Sequence, residues 1–398
     1  MWESLAYGIL KLQISCISLE LLTYYWKEWI KYHEAFNDSL FFSLLPVLLV
    51  LFLCACSASP SGASDGAETP NNIFHELSLP AVTEGQVSVL DARGSRILYV
   101  QEEKLLSKDG GYAYYETKQV GIYDVDAQKS LAVWEPETPG NYFGGALLDG
   151  DAAILALQLD YTNAYPAQFA AMYFGGPQRS LVELTGELQW LLPFSGKEAL
   201  ASYRTEEGAF GVYRLSADGC TDALLLQADA NTEPMGGDLA VCGDRFCFSY
   251  AKNGQVTLCT VSADGTQDAL TLPESAKLDS FWLTDGGPLV CQYVEKDSKA
   301  QRLLTRYASG ETHEVTRPAA DGALYQLRFA NGCGFAVNGS WGLQLLQLSE
   351  DGTVSCRGVT GLPDELSSVQ VRILSCGDGS FCLFYPEAQR LFRAVPNS

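Results

Sequence analysis

The chain has 398 residues, and its 26 Lys and Arg stand against 48 Asp and Glu for a formal net charge of -22. That balance repels phosphate backbones and anionic headgroups, so no nucleic-acid partner is expected. Apolar residues make up 47% of the chain, which excludes wholesale disorder, and its 3 His (His33, His75 and His313) exclude a three-His metal site in the body.

Residues 1–38 carry a net charge of -2, and residues 5–29 are apolar enough for a helix. Two readings stand. One is a helix lying on a membrane with Trp2, Trp26 and Trp29 at the interface. The other is that the stretch precedes the true translation start. Residues 39–56 form a signal or transmembrane segment, because the uncharged run 40–56 is just long enough as a helix to cross roughly 25 Å of hydrocarbon. It ends in Leu53-Cys54-Ala55-Cys56 followed by Ser57. This resembles the bacterial lipobox, in which the last Cys is lipidated after cleavage, with Cys54 departing mildly from the pattern. The resemblance implies Cys56 as the lipid-bearing residue of a lipoprotein on the outer face of a bacterial cell membrane. An uncleaved transmembrane helix is the alternative. Residues 57–72 hold no aliphatic side chain larger than Ala, so they predict a flexible tether with a reach of roughly 20–24 Å.

Residues 73–398 are periodic. In one stretch, four short runs beginning near Asp238, Arg245, Gln255 and Thr266 are separated by Gly-Asp, Asn-Gly and Asp-Gly, dipeptides that supply the positive φ of tight hairpins. This is a four-stranded antiparallel meander. Turns between third and fourth strands fall at Asp126, Gly176, Asp218, Asp264, Gly310, Asp351 and finally Pro396, a mean spacing of about 45 residues that signals β-propeller blades. Three turns are nearly identical: Ser216-Ala-Asp-Gly, Ser262-Ala-Asp-Gly and Ser349-Glu-Asp-Gly. Cys247, Cys291, Cys333 and Cys382 recur in the second strand of consecutive units, as small hydrophobes at a crowded position between sheets. The last unit stops after three strands. Its missing fourth resembles His75-Glu-Leu-Ser-Leu-Pro, which compares with Gln267-Asp-Ala-Leu-Thr-Leu-Pro elsewhere. The expected fold is therefore all-β, a seven-bladed propeller closed by an N-terminal strand. In period and grammar the body resembles the WD-repeat, YVTN and TolB-type propellers of bacterial envelopes, although the Trp-Asp dipeptide is absent.

Reactive chemistry is sparse. Nine Cys in the body cannot all pair and no CxxC occurs, so zinc-ribbon spacing is missing; Cys242 with Cys247 and Cys376 with Cys382 each flank a short hairpin and are the pairs a disulfide would join. The Ser-Ala-Asp-Gly turns are similar to the Asp box of sialidase propellers but lack its Trp, and read as hairpin turns. Asp149-Gly-Asp151 reads as a solvated loop before a Ca²⁺ site. His75 and His313 fall on outer strands, and no nucleophile elbow, phosphate loop or dinucleotide fingerprint appears, so no cofactor is expected. Two units are longer than the rest between second and third strands, at 102–118 and 160–169. These insertions hold Tyr112, Tyr114, Tyr115, Tyr161 and Tyr165 with Asp109 and Asp160 on adjacent blades. Tyrosine suits recognition, because it offers a large contact area for little rotamer entropy. The functional expectation is a binding or scaffold module for a protein, peptide or glycan. A glycan or peptide hydrolase or lyase using channel carboxylates is the alternative, and a sensor domain on a true transmembrane helix is the second.

Overall fold

The computed structural model describes residues 73–396, apart from 107–112, 160–167, 206–209, 219–220, 225–231, 263, 275, 285–286, 318–321 and 340–341. The segments expected at 1–38, 39–56 and 57–72, with Cys56, lie outside the described residues. No helix among the described residues is long and apolar enough to cross a membrane.

The body is a ring of seven β-sheet blades. After β1 (Phe74–Leu77), the first blade is β2 (Gln86–Arg93), β3 (Arg96–Leu106), β4 (Ala113–Asp124) and β5 (Lys129–Trp134). The second is β6 (Asn141–Leu147), β7 (Ala153–Gln158), β8 (Gln168–Phe174) and the front half of β9 (Arg179–Ser195). The rear half of β9 opens the third blade, completed by β10 (Glu198–Thr205), β11 (Phe210–Ser216) and β12 (Thr221–Leu224). The fourth is β13 (Thr232–Cys242), β14 (Arg245–Lys252), β15 (Gln255–Ser262) and β16 (Gln267–Thr271); the fifth is β17 (Ala276–Leu283), β18 (Leu289–Glu295), β19 (Gln301–Arg306) and β20 (Thr312–Arg317). The sixth is β21 (Leu324–Ala330), β22 (Cys333–Asn338), β23 (Leu343–Leu348) and β24 (Val354–Gly358). The seventh is β25 (Arg372–Ser375), β26 (Phe381–Tyr385) and β27 (Arg390–Ala394), with β1 as its outer strand.

The expected closure is present. Phe74 pairs with Ala394, His75 with Arg393, Glu76 with Phe392 and Leu77 with Leu391. Phe74 is buried and its ring meets Phe335 of the sixth blade at 6.1 Å. The Asn-Gly turns behave as their chemistry requires. Asn253 and Gly254 both take positive φ (52° and 77°) in the two-residue loop between Lys252 and Gln255, and Asn331 and Gly332 do the same (51° and 77°). In the Asp-Gly turns, Asp264 and Asp351 each accept the backbone N–H of the Thr two residues on at 2.9 Å. They act as turn formers.

Burial follows position within a blade. Second strands such as β7 and β26 are buried on both faces because a neighbouring sheet covers each side, and their runs are almost wholly apolar. Outer strands such as β16 and β20 are mostly exposed. The core consists of apolar layers between adjacent blades. One joins Val87 and Tyr99 to Cys382 and Phe384, closing the seventh blade on the first. Another holds Cys247 and Cys291 together between the fourth and fifth, the crowded position expected for these thiols.

Inner strands carry a feature that periodicity does not show. The ladder between first and second strands slips at Val89/Asp91, Tyr142/Gly144, Ser202/Tyr203, Pro234/Leu239, Leu278/Ser280 and Tyr325/Arg328, so six of the seven blades carry an irregularity here, and the third carries a second at Glu198/Ala199. A bulge adds twist, which lets the sheets fan about an axis. Side chains near these bulges reach across to the next blade. The Asp91 carboxylate accepts the N–H of Leu147 at 2.7 Å, Ser280 accepts that of Leu327 at 3.3 Å, and Gln326 bonds both ways to Val371 and Ile373. Arg372 donates to the Val89 carbonyl at 2.7 Å, tying the seventh blade to the first.

Candidate functional site

Of the residues expected at a recognition surface, Asp109, Tyr112, Asp160, Tyr161 and Tyr165 lie outside the described residues. Tyr114 and Tyr115 are described and half-buried. The insertion of the first blade is less a loop than an extended hairpin. β3 continues to Leu106 and β4 starts at Ala113, so Tyr114 faces Leu105 and Tyr115 faces Lys104 in the ladder. Tyr is a good strand former, and the Lys118 ammonium bridges Glu103 at 3.2 Å and also Glu116, holding the two strands together. The hairpin is fixed to the second blade as well. The Thr117 N–H donates to the Gly140 carbonyl at 3.0 Å, and the Tyr142 N–H donates to the Thr117 hydroxyl at 3.1 Å. The first and second blades are thus neighbours, as the sequence implied.

The axis of the ring holds two cavities, of about 270 Å³ and about 400 Å³. Leu90, Gly145, Leu192, Arg328 and Ile373 line both, so they are two ends of one channel. The larger is walled where inner strands begin, by residues such as Phe143, Trp190, Gln326 and Arg372, on the same side of the ring as the Tyr114–Tyr115 hairpin. The smaller is walled where inner strands end, by Arg93, Phe194, Trp282 and Cys376 among others.

The channel has a charge character opposite to that of the protein. The larger cavity is lined by Arg328 and Arg372, with no carboxylate among its described lining residues. Arg328 lies over the Trp282 ring at 4.4 Å and donates to the Leu327 carbonyl at 2.8 Å, so its plane is preset. Arg372 is largely buried, and burial pulls its guanidinium below the ordinary value while Glu102 opposes this. Desolvation in turn raises Glu102. A buried guanidinium strongly favours an added acceptor of negative charge.

In the smaller cavity the carboxylate is Asp91. Burial pushes it up to about 7, against the N–H donations of Leu147 and Ala92 that pull it down. Both of its oxygens are therefore committed to backbone. Asp279 on β17 is also raised by burial, to about 6, and its Oδ2 has no hydrogen-bond partner, but it does not line either cavity. Arg93 is paired to Asp149 at 2.6 Å, so Asp149 serves an ion pair at the turn. His75 lies on β1, and His313 on β20 contacts the Tyr307 ring and Glu311 at 3.1 Å; both are on outer strands, away from the axis. Among the described residues no cluster of His, Cys, Asp and Glu is of a size to hold a metal ion. Arg328 and Arg372 were not singled out from the sequence, although both sit on inner strands one repeat apart; the face that Arg328 takes depends on the slip at Tyr325/Arg328.

No family model matches this chain, and no curated protein matches it in sequence. Solved structures do. Virginiamycin B lyase from Staphylococcus aureus superposes with a TM-score of 0.52 at 12% identity, covering 81% of this chain and 99% of that one. An ancestral GH74 enzyme gives a TM-score of 0.46 at 12% identity, with 76% of this chain and 54% of that one covered. A post-proline cleaving enzyme from Rickettsia typhi gives 0.45 at 11%, with 78% and 49% covered. At such identities the first of these likenesses shows a common architecture and no more: the chain is a β-propeller.

Proposed function

We propose that this protein is a membrane-anchored binding module on the outer face of a bacterial cell envelope. Its propeller takes up a protein, peptide or glycan through an acidic group at the larger end of the axial channel. One observation carries the reading: in a chain of net charge -22, that end is walled by Arg328 and Arg372 together with Trp190 and Phe143. Guanidinium groups recognise carboxylates in a planar, two-pronged geometry, and aromatic faces take the apolar flank of a sugar ring or side chain. The extended hairpin bearing Tyr114 and Tyr115 stands on the same side and supplies a rim for the rest of the ligand. Anchoring rests on the Leu53–Cys56 motif and the tether that follows it.

Hydrolysis by a carboxylate pair has less support. It needs two acidic groups flanking one bond, and among the described lining residues Asp91 alone is acidic, with both oxygens engaged.

The test is a titration of uronic-acid oligosaccharides and Glu-containing peptides, beside their neutral counterparts, followed by Trp fluorescence. Acidic probes are expected to bind at least tenfold tighter, and Arg328→Gln to remove that preference. Equal binding of neutral and acidic probes would discard the reading. Intact mass of membrane-extracted protein tests the anchor, since the reading requires a diacylated N-terminus at Cys56.

A further inference from the structure

Cys376 immediately follows β25, and Cys382 is the second residue of β26. Leu374 pairs with Cys382 and the Cys376 N–H donates to the Ser380 carbonyl at 3.0 Å, so the two thiols are diagonal neighbours on one face of a hairpin. Their sulfurs lie 3.5 Å apart, and both cysteines are free. Both thiols are buried in the layer between the seventh and first blades, and Cys376 alone of the two also lines the smaller axial cavity.

We infer that Cys376 and Cys382 are an oxidisable dithiol, in which Cys376 takes a hydroperoxide from the channel and Cys382 resolves it to a disulfide within the hairpin. The inference does not depend on what the channel binds.

Electrostatics agree with the division of labour. The hydrogen bond shared by the two sulfurs lowers Cys376 below the ordinary thiol value and raises Cys382. Ser380 lowers Cys376 further and Arg393 acts in the same direction, while burial and Asp378 oppose them. By contrast Cys291 is pushed up to about 12 by burial and has no such partner, and burial raises Cys247 strongly as well. Those thiols are inert packing groups.

The chemistry balances with a hydroperoxide as oxidant. The Cys376 thiolate attacks one peroxide oxygen: an S–O bond forms, the O–O bond breaks, and hydroxide or alkoxide leaves and takes a proton. The Cys382 sulfur then attacks the Cys376 sulfenic sulfur, forming S–S and expelling hydroxide, which leaves as water with the Cys382 proton. Two thiols give up two electrons and two protons, and hydrogen peroxide becomes two waters. The smaller cavity, at about 270 Å³, admits a molecule of that size.

The experiment treats the full chain with hydrogen peroxide near neutral pH and reads tryptic peptides by mass. Cleavage after Arg372 and Arg390 places both thiols on one peptide. The wild-type peptide is expected to lose two hydrogens and to regain them with dithiothreitol under native conditions. In Cys382→Ser the same peptide gains oxygen at Cys376, and in Cys376→Ser Cys382 stays unmodified. Oxidation of Cys382 in Cys376→Ser at the wild-type rate would overturn the assignment. So would a wild-type peptide that keeps both thiols while the peptide holding Cys242 oxidises, or a disulfide present from the start that native reductant does not open.

Discussion

Asp91→Asn separates the two forces acting on the innermost carboxylate. Burial raises this group from 3.8 to about 7, so the folded protein holds a proton there that the unfolded chain has released. Stability from this site is fully present below pH 4 and is lost as the pH rises through 7. The displacement corresponds to roughly 4 kcal/mol between those limits. Asparagine is a neutral isostere of the protonated acid and does not titrate. At pH 4 the two proteins are expected to unfold within about 1 kcal/mol of one another. At pH 8 the variant is expected to be more stable by up to ~4 kcal/mol, about 6 °C in Tm for a unit of this size. The assay is thermal unfolding followed by Trp fluorescence at pH 4, 6 and 8, read as the difference between the two proteins so that every other titrating group cancels. Parallel midpoints across that range would refute the reasoning. A variant less stable by about 1–3 kcal/mol at pH 8 would do so in a different way. It would mean that the N–H donations of Leu147 and Ala92 outweigh burial and keep Asp91 ionised throughout.

Three further substitutions probe closure and packing. Phe74→Ala removes a buried ring from the strand that completes the seventh blade and should cost ~3–5 kcal/mol, whereas Arg390→Gln, which breaks the exposed pairs with Glu76 and Glu365 and the contact with the Phe392 ring, should move the unfolding midpoint far less, by about 1 kcal/mol at most. The Thr305 hydroxyl is buried with no hydrogen-bond partner, so Thr305→Val should hold or raise the midpoint by about 1 kcal/mol; a clear drop in either thermal or urea unfolding would show that the hydroxyl has a partner.

Much of the fold was legible because it is written in local chemistry. Asn253-Gly254, Asp264-Gly265 and Asp351-Gly352 mark hairpins by residues that accept positive φ or bond their own backbone, and they recur at one period. The closing strand was legible because His75-Glu-Leu-Ser-Leu-Pro resembles Gln267-Asp-Ala-Leu-Thr-Leu-Pro. The channel was not. Which inner-strand residues face the axis is set in six of the seven blades by an irregularity of the inner ladder, and one extra residue reverses every side chain beyond it. Arg328 follows such a slip at Tyr325/Arg328, so alternation counted along the sequence gives the wrong face. The insertion of the first blade was legible as extra length but not as strand, since the pairing of Leu105 with Tyr114 and Lys104 with Tyr115 extends an existing ladder. The β9 junction was hidden for the opposite reason: Thr185-Gly186 resembles a turn signal, yet the chain runs straight through it.

That uninterrupted β9 makes the second and third blades one sheet of seven strands. At every other junction around the ring a connecting segment can absorb a change of angle between neighbours. Here the hydrogen-bonded ribbon itself is the connection, so twisting one blade against the other must bend or break a ladder. Any breathing of the ring on ligand entry therefore concentrates at the remaining junctions. In amide exchange the two blades should open together, as a single stiff sector of the wheel.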